Sequence, residues 1–428
     1  MAQLLERIRA YLFLLALVAI AASGSTFAQD PLFQAAERGS PEDVRALLQA
    51  GANVNARNEF GETALMWAAG YNPNPGVVRE LIEAGANVNA LDHDRWTALI
   101  WAAAANWNHN VILELLDGGA NVHIRDAEAW SALLYASAQN QNAEVVRALL
   151  GAGANVNARG VRGVTALMVA AIHNLNPEVV RTLLDGGADA NHRSDEDWTP
   201  LMLATGANTN PQVTEALIEG GASVNAANEF GATPLMFAAR NAPGPRIIHS
   251  LIAAGASIDA RDFEGWTALM WAAESTQNPE VVRALLDEGA DATLRNDWGQ
   301  RAIDIAHEND HLQGTDAYWH LEAATSQRPA LPGTDTVTLR NGDILSGAII
   351  TDEFTVQASY GTLTLTNEQL ASITIEDAAG RTDQFVLKVG DRVSGELQNP
   401  TIEMTLTTGA TITLEKGNIA SITFAREE

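Results

Sequence analysis

Residues 153–188 read GANVNARGVRGVTALMVAAIHNLNPEVVRTLLDGGA. Each part of this stretch carries a local instruction. Thr165, ahead of Ala166-Leu167-Met168, sets a hydroxyl where it can accept from the free N–H groups of a starting helix, worth ~1 kcal/mol per cap. The Ala170-Ala171 pair keeps that helix thin enough for a neighbour to approach closely. Asn176-Pro177-Glu178 opens a second helix, with Asn as cap, Pro in the first helical position and Glu complementing the dipole. Gly187 ends that helix in a left-handed cap. A short hairpin of the kind seen at Asn53–Asn58 leads onward.

The stretch is one copy of a repeat. Gly-Ala recurs at Gly51, Gly85, Gly119, Gly153, Gly187, Gly221, Gly255 and Gly289, always 34 residues apart. Twelve residues after each of the first seven stands TALM, TALI, SALL or TPLM, at Thr63, Thr97, Ser131, Thr165, Thr199, Thr233 and Thr267; the eighth copy has RAID at Arg301. One helix pair cannot bury its apolar face, but stacked pairs make a continuous core. The register predicts nine helix pairs over residues 30–324. The first, from Asp30 to Gly51, lacks the T-x-L start and reads as an N-terminal cap; the last carries the polar Asp304 and His307 as a C-terminal cap. The turn inside each pair is rich in Asn, with Asn72, Asn106, Asn140, Asn174 and Asn208 in one register and Asn74, Asn108, Asn142, Asn176, Asn210 and Asn278 in another. Amides both donate and accept, so these predict a ladder that bonds each turn to the next.

TPLM and GANVNA stand where the ankyrin repeat family carries T-P-L-H and G-A-D-V-N-A, and the chain resembles that family over residues 30–325. Two departures accompany the resemblance. The His of T-P-L-H is Met or Ile, which removes a side-chain anchor, and the unit is one residue longer than the usual 33. The resemblance implies a concave groove formed by hairpin bases and first helices, and it implies partner-binding positions. These fall on Phe60, Tyr71, Trp96, Trp130, His173, Trp198, Phe230, Phe263 and Trp266, an aromatic strip of the sort enriched in binding hot spots. The alternative is that Trp rings at this spacing stack on one another as part of the fold. Trp67, Trp101 and Trp271, inside the first helices, are read as core.

Composition narrows the function. The chain has 428 residues, 53 acidic and 26 basic, a net charge of −27 and no cysteine. Such acidity opposes binding to nucleic acid or anionic lipid. Without cysteine there is no disulfide, thiolate zinc site or cysteine nucleophile. His307-Glu308-Asn309-Asp310-His311 matches H-E-x-x-H, but the repeat register puts His307 at a helix end and His311 in a turn, so a zinc site is not expected. No metal, cofactor or catalytic residue is predicted. Arg7 and Arg9 precede an apolar run from Tyr11 to Ala22, and Thr26-Phe27-Ala28 fits a cleavage site. Residues 1–28 therefore read as a signal peptide, leaving a periplasmic or extracellular protein with no membrane insertion after cleavage.

After a linker over 325–334 the period changes to two, as in Val337-x-Leu339 and Leu363-x-Leu365. Gly342-Asp343 and Ser346-Gly347 recur as Gly390-Asp391 and Ser394-Gly395, and Ala371–Thr374 recurs as Ala420–Thr423. Residues 335–428 thus read as a duplicated all-β module, with copies at about 336–376 and 384–426 that resemble small Sm-like or SH3-like barrels. Its six basic and 14 acidic residues oppose the RNA binding that an Sm likeness implies. The fold class expected is α+β multidomain, an α-solenoid followed by an all-β duplicated small-barrel domain. The function expected is a non-catalytic scaffold holding a protein partner of unknown identity. The alternatives are a structural envelope component and, last, an enzyme with its site in the β module.

Overall fold

The computed structural model describes residues 30–325 and, after residue 334, the backbone of ten strands between 335 and 423. The expected signal peptide and residues 326–334 of the expected linker lie outside the described residues, as do the turns at Gly342-Asp343 and Gly390-Asp391. The chain divides into two compact units. One runs to Ala238 and includes Ala253–Ala256; the other comprises Ala239–Ile252 and Ser257–Glu428.

In the first unit each repeat supplies an inner and an outer helix. The pairs are α1 (Pro31–Arg38) with α2 (Pro41–Gln49), α3 (Ala64–Tyr71) with α4 (Pro75–Glu83), and α5 (Ala98–Ala105) with α6 (His109–Asp117). They continue as α7 (Ala132–Gln139) with α8 (Ala143–Gly151), α9 (Ala166–His173) with α10 (Pro177–Asp185), and α11 (Pro200–Ala207) with α12 (Pro211–Glu219). Next come α13 (Pro234–Asn241) and α14 (Arg246–Ala253). The second unit then holds α15 (Ala268–Ser275) with α16 (Pro279–Asp287) and α17 (Ala302–Ala306) with α18 (Asp316–Thr325). Inner helices such as α9 are buried from Ala166 to Ile172. Outer helices bury one stripe, for example Val77, Val78 and Leu81 on α4. That difference follows from position, since an inner helix is flanked by neighbours on both sides and an outer helix also faces water.

The ends of the helices follow the sequence closely. Hydroxyls of Thr63, Thr97, Thr199 and Thr267 accept the N–H three residues ahead; those of Ser131 and Thr165 do not cap. The missing T-P-L-H histidine is partly replaced, because the N–H groups of Thr63 and Thr233 reach Met66 Sδ and Met236 Sδ at 3.4 Å. Sulfur is a weak acceptor, but the N–H keeps a partner. Asn74, Asn108, Asn142, Asn176, Asn210 and Asn278 cap outer helices. The eight Gly of the Gly-Ala dipeptides all have positive φ, from 86° at Gly221 to 95° at Gly51.

The inter-helix turns stack through amides. Asn106 Nδ2 donates to Ala69 O and Asn72 O at 2.9 and 2.8 Å, and Asn140, Asn174 and Asn208 repeat the pattern one unit on each time. Each Oδ1 also closes its own turn, as when Asn140 accepts from Asn142 N at 3.0 Å. A second rung comes from the capping Asn, with Asn142 Nδ2 reaching Trp107 O and Asn176 Nδ2 reaching Gln141 O. A third, at the hairpins, was not anticipated. Asn55 donates to Gly85 O and accepts from Asn87 N, and Asn89, Asn157 and Asn191 do the same toward their next units.

The expected fold class needs correction. Within residues 30–325 the β pairing consists of isolated bridges, Arg57 to Thr63 and Arg125 to Ser131. The fold shown there is a helical solenoid, and no separate all-β domain of two small barrels is shown among the described residues. The strands are β1 (Asp335–Leu339), β2 (Ile344–Ile349), β3 (Glu353–Ala358), β4 (Gly361–Thr366), β5 (Leu370–Thr374), β6 (Asp383–Leu387), β7 (Arg392–Leu397), β8 (Thr401–Leu406), β9 (Thr411–Glu415) and β10 (Ile419–Thr423), and they run in one antiparallel sheet in the order β4-β3-β7-β6-β5-β10-β1-β2-β8-β9. Here β2 (Ile344–Ile349) pairs with β8 (Thr401–Leu406), and β3 (Glu353–Ala358) pairs with β7 (Arg392–Leu397). Each copy thus hands its β3–β4 or β8–β9 hairpin to the other, and neither closes on itself. Copies of about 40 residues have little core of their own to bury, and period-two patterning fixes strands without fixing their neighbours.

Replacing buried Asn140 by Ala strands Ala103 O, Asn106 O and Asn142 N between stacked turns. We expect a loss of at least about 2 kcal/mol in urea unfolding, with amide exchange rising first around residues 138–146. A change near zero would mean that the ladder is decorative.

Candidate functional site at the hairpin tips

Each hairpin is organised by the side chain that starts it. Asp92 Oδ1 accepts from Asp94 N and Trp96 N, at 3.0 and 2.7 Å, and Asp92 Oδ2 accepts from Trp101 Nε1 at 3.0 Å. Asp262 does the same for Trp271 Nε1, and Asp126 takes the hydroxyl of Tyr135. At position 58 the residue is Asn, and the carboxylate comes from Glu62, which accepts from Trp67 Nε1 at 2.9 Å. Where the hairpin has Gly160, Ser194 or Asn228, the matching helix position is Val169, Leu203 or Phe237, none with a donor to place. The repeats therefore match one buried carboxylate to one aromatic donor. Trp67 is core as expected, whereas Trp101 and Trp271 are half-buried and hold the hairpin through their N–H groups.

The nine residues expected at a partner surface separate into three sets, buried, half-buried and exposed. Trp96, Trp130 and Trp198 are between 3% and 5% exposed. Their rings pack inside the array, Trp96 at 4.5 Å and Trp130 at 5.1 Å from Tyr135, and Trp198 at 4.9 Å from Phe237. With Phe33, Trp67, Tyr71, Trp101 and Tyr135, Trp96 and Trp130 form a path of ring contacts through the first repeats. Buried this way, they have almost no surface for a partner. Tyr135 and Phe237, from the next repeat's inner helix, pack against Trp96 and Trp198, and Tyr135 packs against Trp130 from the inner helix of its own repeat. Tyr71 and His173 are half-buried, and burial pushes the Tyr71 hydroxyl up to about 12. Trp266, in the second unit, is half-buried beside Trp298 at 6.3 Å.

The exposed set lies at the tips. Phe60, Phe230 and Phe263 are 49%, 61% and 75% exposed. Two further rings escaped the sequence reading. Trp298 occupies the tip position of Phe60 and Phe230 and is as exposed as Phe230; its register was the available signal, masked by the degraded RAID of its unit. Exposed Trp107, in the turn between α5 and α6, had none.

The H-E-x-x-H residues do not share a helix. α17 stops at Ala306, His307 Nδ1 lies 2.9 Å from the Tyr318 hydroxyl, and His311 is in the following turn. Among the described residues no three His, Asp or Glu side chains gather as a metal site, and no helix is long and apolar enough to cross a membrane.

Two predictions follow from the hairpin chemistry. Burial is the main cause that pushes the Asp92 carboxyl up to about 6, with the nearby Asp94 and Glu62 carboxylates adding to it and the N–H donors of Trp96 and Trp101 opposing it. The fold thus favours the protonated form. Its contribution is full below the unfolded value near 3.8 and is lost as pH rises through about 6. Relative to Asp92→Asn, the wild type should lose about 2 kcal/mol between pH 4 and pH 7.5 in urea unfolding; a constant difference would refute this. Trp130→Ala should destabilise the array by about 3–5 kcal/mol, which a shift of the thermal or urea midpoint would report. An unchanged midpoint would return Trp130 to the surface.

A family model of ankyrin repeats (three copies) matches residues 32–126, 103–194, 167–262, 201–296 and 235–316. No curated protein matches the chain. Among solved structures, the human ASB11 ankyrin repeat domain is similar, with 25% identity and a TM-score of 0.48 over 54% of this chain and 99% of that one. Together the family matches cover residues 32–316 without a gap, and so the chain belongs to the ankyrin repeat family, whose arrays are protein–protein interaction scaffolds.

Proposed function

We propose that this protein is an exported, non-catalytic scaffold that holds a protein partner along the hairpin side of its ankyrin array. The observation that carries this reading is the exposure of Phe60 and Phe230 on hairpin tips, while Trp96, Trp130 and Trp198 are packed away. Exposed aromatics on a rigid surface are the usual anchors of protein interfaces. Export rests on the basic, apolar and small-residue order of positions 1–28. The division proposed is a signal peptide over 1–28, an array over 30–324, a linker over 325–334 and a β segment over 335–428.

The test is affinity capture from an envelope fraction with protein beginning at Gln29. The baits are wild type, Phe60→Ser with Phe230→Ser, and Trp107→Ser as a control on the inter-helix turn. A partner should be recovered with wild type and the control, and reduced at least about tenfold with the double variant. Equal recovery on all three baits would refute the tips as the contact surface.

A further inference from the structure

The sequence Asn-Glu-Phe-Gly occurs twice in the first unit, at 58–61 and at 228–231. The two tips are built alike. Asn58 Oδ1 accepts from Phe60 N and Glu62 N at 3.0 and 2.9 Å, and Asn228 Oδ1 accepts from Phe230 N and Ala232 N at the same distances. Gly61 and Gly231 follow at φ 77° and 78°, a left-handed turn that Gly adopts without strain. The turn holds the Phe backbone fixed and sends its ring outward.

Folding does not require a ring there. The same tip position is Asp94, Glu128, Arg162 and Glu196 in the intervening repeats. Asp94 N and Glu128 N make the same bond to the hairpin carboxylate as Phe60 N makes to Asn58. A Phe in this slot leaves apolar surface in water and adds nothing to the turn.

The charge beside the rings is acidic. Glu59 precedes Phe60, and the next two tips bring Asp94 and Glu128, with Arg95 the cation among them. Glu229 precedes Phe230. Arginines near these tips are turned onto other groups: Arg57 onto Gly61 O and Leu91 O, Arg193 onto Ala227 O, and Arg162 onto Glu196. The chain as a whole carries −27, which steers cationic partners inward and acidic ones away.

This step rests on the scaffold reading above. We infer that the Phe60 and Phe230 tips dock a basic protein segment carrying apolar side chains, which packs against the two rings and sets its cations against Glu59, Asp94, Glu128 and Glu229. Nucleic acid lacks the charge for this surface. An acidic partner would leave like charges facing one another.

Selection of random displayed peptides on the full chain beginning at Gln29 tests the inference. Enriched peptides should combine Arg or Lys with aromatic or aliphatic residues. A synthetic copy of the leading peptide should bind at least about tenfold more weakly to the Phe60→Ser/Phe230→Ser variant and lose affinity with salt, less steeply for Glu59→Gln/Glu229→Gln. Thermal unfolding of both variants should match wild type, since all four side chains lie on the tips. Enrichment of acidic or uncharged peptides that still need both rings would overturn the basic partner and leave the scaffold intact. Peptides indifferent to the rings, or no enrichment at all, would overturn docking at these tips. In either case, capture of a partner by the wild-type bait would still stand by itself.

Discussion

The array depends on satisfying the backbone of turns that stacking buries. Each repeat brings a turn against the turn before it, and the carbonyls at the end of each inner helix have no partner within their own helix. Asn106, Asn140, Asn174 and Asn208 meet this demand with one side chain each. The Nδ2 group donates to two carbonyls of the preceding repeat, and the Oδ1 atom closes the Asn's own turn. Neither Asp nor a hydroxyl can make the full set, because the task needs two donors and an acceptor in one plane. Thr276 shows the limit: its hydroxyl closes its own turn through Asn278, and the amide rung resumes one repeat later, where Asn309 Nδ2 donates to Ala273 O and Thr276 O. A ladder of this kind ties stability to nearest neighbours, as in any solenoid.

The same economy governs the hairpins. A carboxylate beneath the stacked repeats is costly unless each oxygen finds a donor. One oxygen of Asp92 or Asp262 takes two backbone N–H groups, and the other takes an indole from the following helix. The donor appears only in repeats that have the carboxylate. Glu62 is instructive because it occupies the slot that holds Trp96 in the next repeat, yet it serves the Trp67 indole that the neutral Asn58 cannot. Two different side-chain sets thus reach one hydrogen-bonding outcome.

Much of this was legible in the sequence. The helix starts, the left-handed glycines and the turn ladder are local rules repeated at a fixed spacing, so each copy reinforced the others. The fate of the tryptophans was not. Trp96, Trp130, Trp198 and Trp266 share a register, but whether a ring is covered depends on what the next repeat offers: Tyr135 of the inner helix over Trp96, Phe237 of the inner helix over Trp198, and Trp298 of the hairpin tip edge-on beside Trp266. That information sits 30 or more residues away and in side-chain direction, which spacing does not encode. The strand exchange after residue 334 failed for a related reason, since duplication announces two copies without saying which copy a hairpin pairs with.

Aromatic residues therefore play opposite parts within one repeat unit, and the backbone decides which. In the slot just before the inner helix, the chain runs in extended conformation toward the core, and a ring is swallowed. Two residues earlier the chain is at the crest of a turn held by an Asx side chain, and a ring has nowhere to go but outward. Trp96 and Phe60 illustrate the two cases in adjacent repeats. A substitution at the crest changes the surface and leaves the stack alone, whereas one at the slot changes the stack. Surface chemistry at the tips can thus vary from repeat to repeat without cost to the core, and in this chain the variation runs from Phe60 through Asp94, Glu128, Arg162 and Glu196 back to Phe230.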